Sequence, residues 1–422
     1  MKIVSISTFD TKGGAARASY RLHQGLNKIA VESLILSQLK YSQDPKVFGA
    51  KPASGIEQAK TGLRLTFDQL PLKLYRQRGK QRFSSNWLPY KISDRLIQYN
   101  PDIINLHWIG AGYLQIETLT KLNKPLVWTL HDMWSFTGGC HYNQSCQKYT
   151  VSCGACPLLG SNQEQDLSRR VWRRKQKAWQ DLDLTVVTPS KWLADCARES
   201  SLLSKTRVEV IPYGLDLDTF RPIERTIARD LLKLPQDKQL VLFLSLNATS
   251  DKRKGFHLLQ PALQKLSQAG WQEKIELMIV GASEPENPVE LGFKSHYLGI
   301  LNDDLTLALA YAAADIFVAP SLQDNLPNTV LEAIACGTPC VAFDIGGMPD
   351  MIEHCANGYL ARPYEIDHLV QGIIWTLEDR LRTQQLSERA RAKAEQEFAL
   401  LIQARRYQAL YSEILARGEH CQ

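Results

Sequence analysis

The feature that most constrains this chain is a repeat of short apolar runs, each followed by a turn and a helical stretch. IVSIS (3–7), ESLIL (32–36), DIINLH (102–107), LVWTL (126–130) and LTVVT (184–188) are β-branched and bounded by Gly, Pro or Asp. They are too short for buried helices and read as strands of a parallel sheet. RVEVI (207–211) follows, and Pro212, Gly214 and Pro222 punctuate the chain there. A second series begins with LVLFLSL (240–246) and continues with IELMIV (275–280), DIFVA (315–319) and PCVAF (339–343). Each series predicts a doubly wound α/β domain. Residues 386–417 lack Gly and Pro, which predicts one or two terminal helices. Open parallel sheets take ligands at the C-terminal edges of their strands. Two such sheets on one linker are expected to leave a cleft between those edges, lined by loops that open helices.

Four constellations sit in such loops. Thr11-Lys12-Gly13-Gly14 lies between the first strand and an amphipathic stretch. Its glycines let backbone N–H groups approach an anion at a helix start, although a Gly pair in a strand–helix turn also serves purely steric ends. Ser250-Asp251-Lys252-Arg253-Lys254-Gly255 places three cations before a helix around 256–269. Cations there oppose the helix dipole unless an anion joins them, so the turn reads as a phosphate site or else as a solvated basic turn. In the third, Pro320 to Ala333, Asp324 precedes Glu332 by eight residues, and Pro327-Asn328 reads as a helix start. A carboxylate one turn inside that helix can accept two hydroxyls of a vicinal diol, or can simply compensate the dipole. The fourth, His131-Asp132 to Gly138-Gly139, follows the 126–130 strand. His131 is placed to bond substrate hydroxyls, or is a structural histidine, and His107 is a second such case.

These residues resemble the retaining glycosyltransferases of family 4, the group 1 transferases. The resemblance covers nearly the whole chain and is weakest in 40–100. Its most specific part runs through Ala314-Asp315, Ala319-Pro320-Ser321, Asp324 to Glu332 and Ala335-Cys336-Gly337-Thr338-Pro339. This is similar to the family's E-x7-E element, with Asp324 where the first Glu is usual. Pro189-Ser190-Lys191-Trp192-Leu193, Ile211-Pro212-Tyr213-Gly214-Leu215-Asp216 and Lys254-Gly255 also match. The family's partner Arg usually stands five residues before the Lys; here that position is Thr249, and Arg253 is taken as its substitute. The resemblance implies a GT-B fold. Residues 1–212 would form an acceptor-side domain with a Cys-rich insert at 138–160, and 213–399 a donor-binding domain. Residues 400–422 would be a helix crossing back to the first domain. It also implies a nucleotide-sugar donor (UDP- or GDP-linked), a carbohydrate or lipid-linked acceptor, a setting in polysaccharide assembly, and no catalytic cofactor. His131 and Asp324 would act at the reaction centre. Gly14, Arg253, Lys254 and the Asn325-Leu326-Pro327 backbone would hold the diphosphate and sugar, and Glu332 the ribose.

Cys140, Cys146, Cys153 and Cys156 follow the His131 loop. Cys153-Gly154-Ala155-Cys156 suits tetrahedral zinc, with His141 as an alternative ligand. Structural zinc is the expectation, with disulfides and free thiols as alternatives. The resemblance extends to transferases carrying a similar Cys-bearing insert.

Charge is uneven. Residues 1–210 hold 30 Lys and Arg against 16 Asp and Glu, and the remainder 20 against 28. The basic half is expected to face something anionic. Residues 60–95, with nine cations, and Arg169, Arg170, Arg173 and Arg174 are candidates for contact with an anionic membrane. No run of about 18 apolar residues and no signal-peptide pattern occurs, so a cytoplasmic protein is expected, with peripheral placement at the membrane's inner face as the further option. A zinc-bearing nucleic-acid binder is the rival from another class, but the chain carries no recognised nucleic-acid motif and its second half is acidic. Another two-domain sugar-nucleotide enzyme, such as an epimerase, is the nearer rival.

Overall fold

The structure is a computed structural model describing residues 1–50, 55–90, 92–244, 251–281, 290–301 and 303–419. Its chain divides into two compact units, Met1–Gly214 with Leu401–Gln422, and Leu215–Leu400. In the first unit seven strands form one sheet: β1 (Lys2–Phe9), β2 (Glu32–Leu39), β3 (Val47–Ala50), β4 (Ile103–Leu106), β5 (Leu126–Thr129), β6 (Leu184–Thr188) and β7 (Arg207–Val210). They lie in the order β3-β2-β1-β4-β5-β6-β7 and every pairing is parallel. In the second unit six strands, β8 (Gln239–Leu244), β9 (Ile275–Val280), β10 (Ser295–Tyr297), β11 (Ile316–Ala319), β12 (Cys340–Phe343) and β13 (Gly358–Ala361), lie in the order β10-β9-β8-β11-β12-β13. These pairings too are all parallel. Each order reverses direction beside the first strand of its series, the arrangement that opens a crevice at the strand C-terminal edge.

Central strands are buried on both faces, so β11 and β12 read as continuous apolar runs. One core of the first unit gathers Val4, Leu36, Ile104, Trp128 and Trp179. Its other face is covered partly by the terminal helix Leu400–Glu419, whose Ala404, Tyr407, Leu410 and Tyr411 pack on Ile3, Leu22, Ile103 and Val127. That helix is also pinned by polar contacts. Asn105 Nδ2 donates to Tyr411 Oη at 2.8 Å, Thr129 Oγ1 lies 2.9 Å from Tyr407 Oη, and Arg207 makes a two-pronged pair with Glu413 at 2.9 Å. The second unit's core joins Val241, Leu263, Ile279, Val318, Phe343 and Leu369. Among the described residues no helix is long and apolar enough to cross a membrane.

Candidate active site

Within the second unit the chemistry gathers on loops after the adjacent strands β8 and β11. Asp251 caps a single turn, Lys252–Lys254, by accepting the Arg253 N–H at 3.0 Å. Gly255 then adopts φ 75° and starts the helix Phe256–Leu266. A Cβ there would stand 1.7 Å from the Pro320 carbonyl oxygen, so only glycine lets the basic turn press against the β11 loop. The two loops are joined by Leu322 N–H donating to Arg253 O at 2.7 Å and by Arg253 Nη1 donating to Gln323 O at 2.9 Å.

Asp324 lies buried at the centre. Its Oδ2 accepts Lys254 Nζ at 2.7 Å and stands 3.4 Å from Arg253 Nη1. Burial alone would push this carboxyl up. The two cations, the Lys254 hydrogen bond and the Asn325 N–H outweigh it and hold Asp324 below the ordinary carboxylate range. The Asn325 N–H, expected to face a ligand, is therefore donated to Asp324 Oδ1 at 3.1 Å. A second glycine is demanded at 346, where φ is 53° and a Cβ would meet the Asp324 carbonyl oxygen at 1.9 Å. Pro327 precedes the helix Asn328–Ala335, and Glu332 stands one turn inside it. Glu332 is buried, and Tyr311 Oη donates to its Oε2 at 3.2 Å. Ser250 and Thr249, which belong to the sequence reading of this turn, lie outside the described residues.

In the first unit His131 follows β5 and His107 follows the neighbouring β4. Their rings meet at Nε2–Nδ1 3.0 Å, and His131 Nδ1 lies 2.6 Å from Tyr213 Oη. Burial pushes His131 down to about 4, against an opposing pull from Asp132, and depresses His107 further. Both rings are neutral at pH 7. The partnership with Tyr213 could have been suspected from the Ile211-Pro212-Tyr213 motif; the His107 contact required knowing that β4 and β5 are neighbours. A second relay went unread in the sequence: Asp132 Oδ2 to His141 Nδ1 at 2.6 Å, and His141 Nε2 to Ser84 Oγ at 2.9 Å. Gly13 (φ 95°) precedes the helix Gly14–Lys28, which opens from the same sheet edge.

His131 carries a pH signature. Its folded value lies below the unfolded one, so the stability it contributes is present above pH ~6.5 and lost as pH falls toward 4. Between pH 7 and 4.5 the wild type is expected to lose about 2–3 kcal/mol more than His131→Asn in urea titrations. Equal losses would show that the ring is not held neutral.

The expected structural zinc is not shown. Among the described residues no three His, Cys, Asp or Glu side chains are grouped to hold a metal ion. Burial pushes Cys153 up to about 11 and Cys140 higher still, and the neighbouring cysteines add to both rises. His141 is committed to Asp132 and Ser84. The loop is ordered by other means: Cys153 Sγ accepts Gly138 N–H at 3.0 Å, Lys148 Nζ donates to Gly154 O and Ala155 O at 2.9 and 3.1 Å, and Cys156 N–H donates to Asp166 at 2.8 Å. None of the four cysteines is in a disulfide.

Residues 12–219 match the family model described as Glycosyltransferase Family 4, and residues 238–379 that described as Glycosyl transferases group 1. The chain belongs to the group 1 glycosyltransferases of family 4. It is 25% identical over 290 residues to WcaC of Escherichia coli, named for colanic acid biosynthesis, covering 64% of this chain and 66% of that one. It is 34% identical over 170 residues to a D-inositol 3-phosphate glycosyltransferase of Xylanimonas cellulosilytica, covering 36% and 39%. These matches thus span from about two fifths to two thirds of the relatives' own lengths. Among solved structures, sucrose-phosphate synthase from Thermosynechococcus elongatus superposes with a TM-score of 0.70 at 19% identity, over 99% of this chain and 100% of that one. Anabaena HepE, solved with UDP-glucose, gives 0.65 at 17%, over 98% and 100%. These likenesses establish the GT-B fold.

Proposed function

We propose that this chain is a retaining glycosyltransferase that moves a sugar from a nucleotide-sugar donor to a carbohydrate or lipid-linked acceptor in polysaccharide assembly. The observation that carries the reading is the cluster of Arg253, Lys254 and Asp324, locked between the β8 and β11 loops, with Glu332 one turn into the next helix. Breaking a sugar–phosphate bond places charge on the departing nucleoside diphosphate. Fixed cations that meet that charge lower the barrier without reorganising. Lys254 and Arg253 are assigned that task. Asp324, which accepts the Asn325 N–H, orients Lys254 and faces the donor sugar with the Leu326-Pro327 backbone, and Glu332, steadied by Tyr311, takes the ribose diol. In the first unit His131, kept neutral, exchanges its contact with His107 or Tyr213 for a sugar hydroxyl, and Gly14 lets a backbone N–H approach an anion. Retention follows from the family resemblance. HepE's complex with UDP-glucose supports testing UDP first. Thermal shift with UDP, GDP and ADP is expected to single out one nucleotide, adding about 2.7 kcal/mol at a hundredfold excess over its Kd. No shift with any of them, and no nucleoside diphosphate released from their sugars, would overturn the reading.

Peripheral contact with an anionic membrane belongs to the same proposal. Leu63 and Phe67 on the helix Gly55–Asp68, and Leu70 and Leu74 on the turn after it, are exposed and spaced to share one stripe; Leu74 is 82% exposed. Lys73, Arg76, Arg78 and Lys80 stand exposed beside them, and residues 69–93 contain no Asp or Glu. Apolar side chains within a basic collar suit an anionic bilayer surface. Two arginines expected to contribute are otherwise engaged: Arg174 grips Glu117 at 2.7 Å and Arg169 pairs with Glu164 at 2.9 Å. The chain is expected to float with phosphatidylglycerol vesicles at low salt, and Leu70→Ser/Leu74→Ser to remain unbound. Flotation of both alike, or of neither, counts against this surface.

A further inference from the structure

At the sheet edge that carries His131, the end of β1 and the loops after β2 and β4 bring three aromatic rings together. Phe9 stacks on Trp108 (centroids 6.2 Å, 19°) and meets Tyr41 edge-on at 6.3 Å. All three rings are partly open, Tyr41 to 38%. Two cations border them. Lys12 Nζ lies 5.5 Å from the Tyr41 ring and Arg82 Cζ 5.0 Å from the Trp108 ring. Neither cation is in an ion pair among the described residues, and Lys12 is exposed.

The nearby carboxylates do not neutralise them. Asp10 is fully buried, and its oxygens accept the N–H groups of Thr11, Tyr41 and Ser42 at 2.8–2.9 Å. Asp132 accepts Trp108 Nε1 at 2.9 Å, Trp134 N–H at 2.9 Å and His141 at 2.6 Å. Both acids therefore spend their charge fixing the aromatic loops. The Trp108 backbone is held as well, its carbonyl accepting Thr8 N–H at 2.8 Å and Thr8 Oγ1 at 2.9 Å. What results is an aromatic surface tied down by hydrogen bonds, with Lys12 over the Tyr41 ring, Arg82 over the Trp108 ring, and neither in an ion pair among the described residues.

We infer that this surface is the acceptor site, and that the acceptor is an anionic saccharide whose carboxylate or phosphate is received by Lys12 and Arg82. The C–H faces of a sugar ring suit aromatic rings, and a flexible ammonium with a planar guanidinium suits an oxyanion. The inference rests on the glycosyl-transfer reading and adds to it the chemical class of the acceptor.

Saturation-transfer NMR on the full chain, with methyl β-glucuronide, glucose 1-phosphate and methyl β-glucoside as probes, tests it. At least one anionic probe is expected to bind about tenfold more tightly than the glucoside, the worth of one charge-assisted bond. Preference for the glucuronide points to a uronic acid, and for the sugar phosphate to a phosphorylated or lipid-phosphate acceptor. Lys12→Ala/Arg82→Ala is expected to abolish the preference, and Tyr41→Ala to weaken all probes. Equal binding of the three, no binding of any, or an undiminished preference in the double variant would overturn the inference. Nucleotide binding, read in the same samples, separates the failures. If UDP, GDP and ADP bind while the anionic preference is absent, only the acceptor assignment falls. If no nucleotide binds, the glycosyl-transfer reading falls with it.

Discussion

Lys254→Ala is expected to slow sugar transfer by about 100- to 1000-fold while leaving the chain folded. Removing one fixed donor from a developing oxyanion costs about 2.7–4 kcal/mol of transition-state stabilisation. The Lys254 side chain is about one-third exposed, and its loss leaves Asp324 with Arg253 at 3.4 Å and the Asn325 N–H. Asp324→Asn separates charge from position at the same place. It releases Lys254 from its 2.7 Å pair, so the nucleoside diphosphate is expected to bind severalfold more tightly even as transfer slows, because surrendering a charge-assisted bond costs about 1.5–3 kcal/mol. Initial rates and nucleotide titrations on the two variants check both signs. A Lys254→Ala enzyme within threefold of the wild type would remove this lysine from the chemistry.

Gly255→Ala is expected to lower the unfolding temperature of the second unit by about 10 °C. A methyl 1.7 Å from the Pro320 carbonyl must force the β8 and β11 loops apart, at about 1–3 kcal/mol, and the left-handed φ of 75° adds about 1–2. For a unit of this size each kcal/mol moves the midpoint by about 2–4 °C. Separation of these loops also parts Arg253 from Gln323 and Lys254 from Asp324, so nucleotide binding should weaken together with stability. Gly13→Ala is the control: its φ is 95°, but no atom lies within 4 Å of the added Cβ, so only the conformational cost is expected. Calorimetry of the two variants distinguishes crowding from backbone strain.

The parallel sheets were legible because strands covered on both faces read as unbroken apolar runs, as Leu240–Leu244 does. Val47–Ala50, Ser295–Tyr297 and Gly358–Ala361 were not legible. Each lies at a sheet edge and is only three or four residues long, and Gly, Ser or His interrupts its pattern. At the site, residue types could be read and pairings could not. Lys254 and Asp324 stand 70 residues apart and meet only because β8 and β11 are neighbours. The Asn325 N–H looked available because no sequence rule shows that the preceding side chain will turn back to accept it. Cys153-Gly154-Ala155-Cys156 has a zinc-like spacing, but no sequence rule shows that Cys153 Sγ accepts the Gly138 amide.

The account stands or falls on where the nucleotide goes. A crystal structure of the chain with UDP, or with whichever nucleotide stabilises it most, gives the answer directly. The diphosphate is expected within hydrogen-bond distance of Arg253 and Lys254, with the ribose hydroxyls on Glu332. A nucleotide bound elsewhere, with Lys254 still closed on Asp324 and Glu332 touching only protein, would contradict it.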